Sequence, residues 1–308
     1  MNTIRVAVVQ AFAPSSLADG LVRAEQLVAE AAAKGATIIA FPETWLPGYP
    51  VWLDVCRDVA LWDHAPVKKV FRRLAENSVS VPGDATRFLS DIASRHHVTI
   101  VIGVSERVDE GPGRGTLYNS ILTFTADGSL ANHHRKLMPT YTERMVWGAG
   151  DADGLRSVDA GAAKVGALVC WEHWMPLARQ AMHEAGEDIH VALWPTAHEM
   201  LQLSSRHYAF EGRCFVLVAG TVMRTSNLPA ELEVHPDKVR GEFVMHGGSA
   251  IIGPNGAYVA GPVYDSEVTL IADLDLDQVR EERMTLDVSG HYHRPELISL
   301  NLRNNTRR

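Results

Sequence analysis

Apolar residues recur with two different spacings at the start of the chain. Residues 4–10 are almost continuously apolar, which is typical of a buried strand. Residues 21–31 place apolar side chains at helical intervals, and Gly35 follows as a suitable end for that helix. A second apolar run covers residues 37–41. A strand, a helix and a strand in this order form a βαβ unit, which predicts that the two strands lie parallel.

The same periods recur along the rest of the chain. We expect further helices at residues 66–77, 84–97, 176–186, 204–213 and 276–285. We expect further strands at residues 98–104, 165–169, 190–194, 214–222 and 268–274. Hairpins are expected at residues 118–134 and 248–260, which contain Asp127-Gly128 and Pro254-Asn255-Gly256. Because no Pro/Ser/Gly-rich linker divides this alternation, we predict one α/β domain over residues 1–308, a sandwich with mixed sheets.

Composition narrows the class of protein only a little. Of the 308 residues, 46% are hydrophobic and 21% are charged, as in ordinary globular proteins. The formal net charge is -8 without a long basic run, so we expect no nucleic-acid partner. No apolar stretch approaches the ~18 residues of a membrane span, so we expect no membrane partner. The three cysteines and the absence of a secretory pattern at the N-terminus favour a cytoplasmic location.

Three reactive side chains follow predicted strands. Glu43 comes after the strand at residues 37–41, Lys136 after the second arm of the first hairpin, and Cys170 after the strand at residues 165–169. Open α/β sheets place their sites at such strand ends. Taken singly, each residue also has a plain alternative. Glu43 could be a solvated loop carboxylate, Lys136 a surface charge and Cys170 a small buried hydrophobe.

Cys170 lies at a predicted corner between a strand and a helix. Proline is well tolerated in a first helical turn, so we expect a helix to begin at Pro176. Backbone N–H groups near a helix N-terminus favour negative charge. This setting predicts that the pKa of the Cys170 thiol lies below its ordinary value of about 8.5. Cys214, within another predicted strand, is expected to be a core residue.

Two histidine pairs raise the alternative of a metal-dependent hydrolase. His133 and His134 are adjacent in a predicted strand, so they point to opposite faces and cannot readily bind one metal ion. His291 and His293 form the other pair. Neither pair has a matching cluster of Cys, His or Asp at ligand spacing, so we predict no bound metal.

In combination, the candidate residues resemble the nitrilase superfamily of carbon–nitrogen hydrolases. The glutamate, lysine and cysteine motifs of that superfamily are similar to residues 41–43, 134–140 and 170–172. Longer runs that resemble its true nitrilase branch occupy residues 41–50, 142–148, 170–177 and 290–296. The resemblance covers nearly the whole chain. It implies an αββα sandwich and a catalytic triad of Glu43, Lys136 and Cys170.

The resemblance also implies a reaction, and the chemistry of these side chains suits it. Cys170 would be the nucleophile, Glu43 the base and Lys136 the group that stabilises developing negative charge. Glu143 would position Lys136 or water. The expected reaction converts an organic nitrile to the carboxylic acid and ammonia through a thioimidate and a thioester, without a cofactor. An amidase, an N-carbamoyl hydrolase, a cyanide-degrading enzyme and a non-catalytic member of the same fold remain alternatives.

Two further expectations concern binding surfaces. Tyr49, Trp171 and Trp194 are candidates for an aromatic substrate pocket, although aromatic residues are also common in cores. Members of the superfamily generally pair near the helix that follows the cysteine, here residues 176–186. The resemblance therefore implies a homo-oligomer, in which a C-terminal extension at about residues 286–308 helps to build the interface.

Overall fold

The computed structural model describes residues 2–303. Its strands are β1 Thr3–Gln10, β2 Ile38–Ala40, β3 Val79–Ser80, β4 Thr99–Arg107, β5 Leu117–Phe124, β6 Leu130–Arg135, β7 Val158–Asp159, β8 Lys164–Val169, β9 Ile189–Leu193, β10 Phe215–Ala219, β11 Val222–Arg224, β12 Phe243–Ile252, β13 Tyr258–Tyr264 and β14 Val268–Asp275. Its α-helices are α1 Leu17–Ala33, α2 Trp52–Val55, α3 Ala65–Glu76, α4 Asp84–His96, α5 Pro176–Glu184, α6 Glu199–Gly212 and α7 Asp277–Arg283. Three short 3-10 helices cover Tyr141–Met145, Cys170–Trp174 and Thr225–Asn227.

The strands form two mixed sheets. The first has the order β14-β1-β2-β4-β5-β6, with β3 beside β4, and its strands β1, β2 and β4 run parallel. The second has the order β11-β12-β10-β9-β8-β7, with β13 beside β12, and its strands β8, β9 and β10 run parallel. In both sheets the remaining strands that adjoin this parallel centre pair antiparallel to it, apart from the short β3. The βαβ unit predicted at the start of the chain is confirmed by the parallel pairing of β1 and β2.

The two sheets and their helices make four layers. Helices α1 and α4 pack on the outer face of the first sheet through an apolar core that includes Leu27 and Leu89. Helices α5 and α6 cover the outer face of the second sheet. A third core fills the space between the sheets. Along β8, Val169 points into that inner core and Leu168 into the outer one, because successive strand residues face opposite sides.

This arrangement confirms the predicted αββα sandwich with mixed sheets. The predicted helices and hairpins are found with shifted ends, the largest shifts being the earlier starts of α6 at Glu199 and of β12 at Phe243. The strand expected at residues 214–222 is instead two strands, β10 and β11, which are separated at Gly220. A Cβ atom at Gly220 would lie 2.3 Å from the backbone oxygen of Gly247, so the chain there needs glycine for close approach. Across residues 2–303, every helix is too short or too polar to span a lipid bilayer.

Candidate active site

Glu43 lies in the turn that follows β2. Its neighbour Thr44 has a φ of 40°, a left-handed conformation that is costly for a residue with a side chain. The turn packs directly against Gly103 of β4, where an added Cβ atom would lie 2.3 Å from the oxygen of Pro42 and 2.8 Å from the Cα atom of Glu43. Glycine at residue 103 therefore lets the glutamate turn approach the sheet, and the Glu43 side chain becomes fully buried.

The two oxygens of Glu43 have different surroundings. Oε1 accepts hydrogen bonds from Lys136 Nζ at 3.0 Å and from Asn119 Nδ2 at 2.7 Å. Oε2 is buried and has no hydrogen-bond partner among residues 2–303. A buried carboxylate oxygen without a donor is costly, and it is free to accept a proton from a reacting group. This makes Oε2 the basic atom of the site.

Lys136 follows directly after β6, and its ammonium group is held by two carboxylates. Besides Glu43, it donates to Glu143 Oε1 at 3.0 Å and to Glu143 Oε2 at 2.7 Å. Glu143 is fixed in turn by the backbone N–H of Thr140 at 2.8 Å and by the hydroxyl of Tyr49 at 2.9 Å. Glu143 therefore holds the Lys136 ammonium beside Glu43, while its role in a reaction stays a prediction.

Cys170 begins the 3-10 helix that follows β8. Its φ of 51° lies in the left-handed region, so the backbone turns sharply at the cysteine. The sulfur of Cys170 and carboxylate oxygens of Glu43 and Glu143 all lie within 4.8 Å of one another. Glu43, Glu143 and Cys170 thus meet at one point, although they are far apart along the chain. The two glutamates follow strands of the first sheet, and Cys170 follows a strand of the second.

Glu172 connects the cysteine turn to the lysine turn. Its carboxylate accepts the backbone N–H of Val169 at 2.8 Å and the backbone N–H of Leu137 at 2.8 Å. His134 Nε2 lies 3.0 Å from the same carboxylate. The indole N–H of Trp171 adds a further link by donating to the oxygen of Met138 at 2.7 Å. The spacing between Lys136 and Cys170 is therefore set by side chains of the cysteine turn.

The charges of the site determine which groups carry protons. Burial raises the pKa of Glu43 to about 7, because the attraction of Lys136 offsets the loss of hydration only in part and Glu143 adds repulsion. Burial alone would lower the pKa of Lys136, but the opposite charges around it outweigh that effect and raise its pKa. One ammonium group thus faces two carboxylates, and Glu43 is the carboxylate that can exchange a proton near neutral pH.

The prediction of a lowered thiol pKa is wrong. Burial raises the pKa of Cys170 well above its ordinary value, and Glu43 and Glu143 add to this, while Lys136 and the backbone N–H of Trp171 oppose it. The helix whose N-terminus was expected to lower the pKa, α5, begins only at Pro176, after the intervening 3-10 helix. The cysteine therefore needs a base to become a thiolate.

The aromatic residues predicted to bind substrate lie in three different settings. The ring of Tyr49 lines a cavity of about 260 Å³ that is also bounded by Phe12, Trp52 and Met223. Trp171 is partly exposed beside Cys170. Trp194 is fully buried in the outer core, where its N–H donates to Ser205 at 3.1 Å. Their contact with a substrate stays a prediction.

The two histidines of each pair contact different partners. His133 lies 2.7 Å from Glu106, while His134 lies on the other side of the strand against Glu172. This confirms that the two rings face opposite sides of the strand. His291 is 3.5 Å from Asp287, and His293 is 3.6 Å from Glu184 on α5. Cys214 is fully buried in the outer core, as expected.

Two contributors to the site were not found from the sequence. Asn119 is a buried side chain of β5 that donates to Glu43, and its own backbone oxygen accepts the N–H of Lys136 at 2.8 Å. A polar residue within the mostly apolar strand at residues 117–124 was the available signal. Glu172 was seen only as part of the cysteine motif. Of its three contacts, those with His134 and Leu137 join distant segments, which no local pattern contains.

Comparison with known proteins identifies the family. Residues 5–284 match the family model described as carbon-nitrogen hydrolase, so the chain belongs to the carbon-nitrogen hydrolase family. The crystal structure of a carbon-nitrogen hydrolase from Helicobacter pylori has the same fold, with a TM-score of 0.71 and 22% identity over 92% of this chain and 93% of that one.

Relatives with higher identity place the chain more narrowly. A bifunctional nitrilase/nitrile hydratase of Lupinus angustifolius is 39% identical over 97% of this chain and 85% of its own length. An aliphatic nitrilase of Sinorhizobium fredii is 37% identical over 97% of this chain and 96% of its own length. Within its family the chain therefore lies in the nitrilase branch, as the resemblance implied. It is a hydrolase that acts on carbon–nitrogen bonds.

Proposed function

We propose that the enzyme hydrolyses an organic nitrile to the carboxylic acid and ammonia, with Cys170, Glu43, Lys136 and Glu143 as its catalytic residues. One observation carries the proposal: a carboxylate oxygen of Glu43, whose pKa is about 7 and whose Oε2 has no hydrogen-bond partner among residues 2–303, lies within 4.8 Å of the Cys170 sulfur. The nitrilase names of the relatives direct the proposal to nitriles rather than to other carbon–nitrogen compounds.

The first chemical step forms a carbon–sulfur bond. Glu43 takes the thiol proton, and the Cys170 sulfur adds to the nitrile carbon, which is a weak electrophile and needs a strong, soft nucleophile. The nitrile nitrogen gains the electron pair and the proton that Glu43 took from the thiol, which gives a thioimidate and restores the ionised Glu43. Because the pKa of the thiol is raised in the resting enzyme, the base must act at the moment of addition.

The second stage adds two water molecules in turn. Glu43 removes a proton from the first water as it attacks the thioimidate carbon, and Lys136 stabilises the adduct. The adduct expels ammonia, which leaves a thioester. A second water attacks the thioester, the carbon–sulfur bond breaks, and the sulfur recovers its proton. One nitrile and two waters thus give one carboxylic acid and one ammonia.

An amide is the second candidate product. The name of the lupin relative joins nitrilase with nitrile hydratase activity. The same adduct yields an amide when it expels the Cys170 thiolate instead of ammonia, and only one water is then consumed. The balance between the two products depends on whether the leaving nitrogen or the leaving sulfur receives a proton first.

Ammonia release from the purified protein tests the proposed function. The panel contains aliphatic, aromatic and arylacetonitriles, cyanide, the matching amides and N-carbamoyl amino acids, with Cys170→Ala as the blank. We expect turnover of at least one nitrile class, and chromatography measures the acid and the amide. Turnover of amides or carbamoyl compounds without any nitrile would contradict the nitrile assignment, and cyanide as sole substrate would indicate a cyanide-degrading enzyme.

The aromatic pocket has its own test. We propose that Tyr49, Trp171 and Trp194 shape the substrate site, since the Tyr49 hydroxyl binds Glu143 and Trp171 adjoins the nucleophile. Tyr49→Phe should change both KM and kcat, because its hydroxyl fixes Glu143. Trp171→Phe and Trp194→Phe should change the order of preference within the nitrile panel. An unchanged order in all three variants would count against the assignment.

We further propose that the enzyme is a homo-oligomer. Large apolar side chains are exposed on α5 and α6, among them Leu177 at 68%, Met200 at 58% and Leu203 at 54%. Exposed apolar surface of this kind marks association sites. The proposed C-terminal extension at about residues 286–308 would add to the interface, although residues 304–308 lie outside the described part. Light scattering should give a dimer or larger assembly that Leu177→Glu weakens, whereas a monomeric parent protein would refute it.

A cytoplasmic location completes the proposal. Cys56, Cys170 and Cys214 are all free thiols, and the proposed chemistry needs Cys170 reduced. Fractionation of cells that express the tagged full chain should recover the protein and its ammonia-releasing activity in the cytoplasmic fraction. Recovery in an oxidising compartment would contradict this.

A further inference from the structure

Two histidines and a glutamate form a buried chain behind the catalytic cysteine. His173 Nδ1 lies 2.7 Å from the backbone oxygen of Cys170, and His173 Nε2 lies 3.0 Å from His190 Nε2. His190 Nδ1 lies 2.8 Å from Glu187 Oε2. All three side chains are at most 1% exposed. The proposed catalytic steps use none of these three side chains.

Each of the three contacts needs one proton. The oxygen of Cys170 can only accept, so His173 Nδ1 must carry a hydrogen. The two Nε2 atoms can approach to 3.0 Å only when one of them carries a hydrogen and the other does not. The contact between His190 and Glu187 requires a third hydrogen. The three contacts need three hydrogens in all. Two neutral imidazoles and an ionised carboxylate supply only two, so the chain of His173, His190 and Glu187 holds one additional proton.

The surroundings decide which ring donates in the contact between the two histidines. Burial lowers the pKa of His173 to about 3, so His173 is neutral. Its single hydrogen lies on Nδ1, because the Cys170 oxygen there can only accept. His190 Nε2 therefore donates to His173 Nε2, and the third hydrogen of the chain lies between His190 Nδ1 and Glu187 Oε2.

The second sheet is built around this arrangement. Gly166 of β8 faces the Glu187 carboxylate, and a Cβ atom there would lie 1.9 Å from Oε2. The hydroxyl of Tyr208 on α6 donates to Glu187 Oε1, and its ring stacks on His190 with centroids 3.9 Å apart.

The other titratable groups near the chain lie at its edges. His183 on α5 is 3.6 Å from Glu187 and 3.3 Å from Glu211, which also binds Arg179. Glu172 adjoins His173 on the cysteine turn, and Cys214 adjoins Glu187. In the described part of the chain, His190 Nδ1 is the side-chain atom recorded within hydrogen-bond distance of Glu187 Oε2.

We propose that His173 is a positioning residue for the nucleophile, held in its donor tautomer by a hydrogen bond from His190, which is itself held by Glu187. His173 Nδ1–H fixes the carbonyl of Cys170, which is the residue in the left-handed conformation. The inference deepens the proposed function because it concerns the same cysteine. It makes the geometry of Cys170 depend on a proton that is buried in the second sheet.

Variants of His173 test the positioning role. An asparagine at residue 173 keeps an N–H that can donate to the Cys170 oxygen, whereas a leucine has none. We expect kcat to fall about 10- to 100-fold in His173→Leu, with little change in KM, and to recover to within about 3-fold of the parent in His173→Asn. Equal loss of kcat in both variants, or no loss in His173→Leu, would overturn the positioning role.

Histidine ¹⁵N NMR of the parent protein tests the proton itself. At about pH 8, where a free imidazole is neutral, Nδ1 of His173 and Nε2 of His190 should carry hydrogens, and Nε2 of His173 should carry none. The signals are assigned by their loss in His173→Asn and His190→Asn, and His183→Gln separates the signals of His183, whose pKa is raised. In Glu187→Gln the amide can donate to His190 Nδ1, so the hydrogen on His190 Nε2 should be retained. A hydrogen on Nε2 of His173 in the parent protein would overturn the inference.

Different results would contradict the proposed nitrile hydrolysis and the positioning role of His173. The NMR measurement needs no turnover, so it tests the buried proton even when every nitrile is inert. The rate of alkylation of Cys170 by iodoacetamide replaces kcat in that case, and His173→Leu should change it while His173→Asn should not. Nitrile turnover with unchanged alkylation and kcat in His173→Leu would retain the proposed function and overturn the positioning role.

Discussion

Glu172 accepts the backbone N–H of Leu137 at 2.8 Å, and this contact joins the turn that carries Lys136 to the turn that carries Cys170. The turn with Lys136 follows β6 of the first sheet, and the turn with Cys170 follows β8 of the second sheet. Glu172 also accepts from Val169 of β8, so a single buried carboxylate spans the junction. The distance between ammonium and thiol therefore depends on a residue that takes no part in the proposed reaction.

Glu172→Gln should weaken both folding and catalysis. Hydrogen bonds to a buried charged acceptor are worth more than those to a neutral amide, so we expect a loss of about 3 kcal/mol in the free energy of unfolding. Contacts with His134 and two backbone N–H groups outweigh burial and lower the pKa of Glu172. Its stabilisation is therefore present above the pKa of an unfolded glutamate and is lost as pH falls through the folded value.

Urea unfolding at several pH values measures this effect. The acid-dependent loss of stability should be smaller in Glu172→Gln than in the parent. Glu30→Gln, at an exposed residue of α1, is the matched control and should leave stability unchanged. A Glu172→Gln protein as stable as the control would contradict the bridging role.

Cys170 should be the residue that forms a covalent adduct. The base beside it can generate the thiolate, whereas burial raises the pKa of Cys56 and of Cys214 and the proposed base lies elsewhere. Intact-mass spectrometry after iodoacetamide should show one adduct, and peptide mapping should locate it at Cys170. Cys170→Ala should abolish turnover with an unchanged circular dichroism spectrum. Labelling mainly at Cys56 or Cys214 would rule out this assignment.

The pH dependence of kcat/KM should report the ionisation of Glu43. The ionised carboxylate is the base, so the rate should rise with pH through a midpoint at about 7. Glu43→Gln keeps the shape but removes the base, and should lower kcat/KM at least ~100-fold and abolish this limb. Near-normal rates in Glu43→Gln would be incompatible with the assigned role, whatever the profile of the parent.

Asn119→Ala should move that midpoint upward. The amide of Asn119 donates to Glu43 Oε1 and thereby lowers the pKa of the carboxylate, so removing the donor should raise it. The rising limb of kcat/KM should shift to higher pH, with a smaller effect on the plateau. Asn132→Ala is a matched control on the next strand, since Asn132 donates to the oxygen of Gly154 and not to Glu43. Equal shifts in both variants would show that the amide acts only through stability.

Gly103→Ala should impair catalysis through the glutamate turn. The added Cβ atom would overlap the backbone of residues 42–44, which cannot move without displacing Glu43. We expect loss of more than ~10-fold in kcat, because displacement of a catalytic group by about 1 Å is costly. Gly253→Ala is the control, since the nearest atom there, at 3.3 Å, is the end of the Asn255 side chain. Activity of Gly103→Ala equal to that of the control would disprove this account.

The strands, helices and triad could be predicted because their signals are local. The apolar run at residues 165–169 indicates β8 by itself, and a short motif surrounds each of Glu43, Lys136 and Cys170. The direction of the Cys170 pKa could not be predicted, since it depends on burial and on charges that arrive from another sheet. The hydrogen bond from Asn119 to Glu43 could not be predicted either, because the two residues lie 76 positions apart in the sequence.

The assembly of the site from two sheets bears on how the chain folds. Glu43 and Lys136 belong to the first sheet and Cys170 to the second, and the parallel pairings within each sheet already join distant segments. Contacts of high sequence separation form late, because the loops that they close cost entropy. Regain of turnover in a refolding experiment must therefore lag behind the recovery of secondary structure, which makes catalytic activity a reporter of the moment at which the two sheets dock.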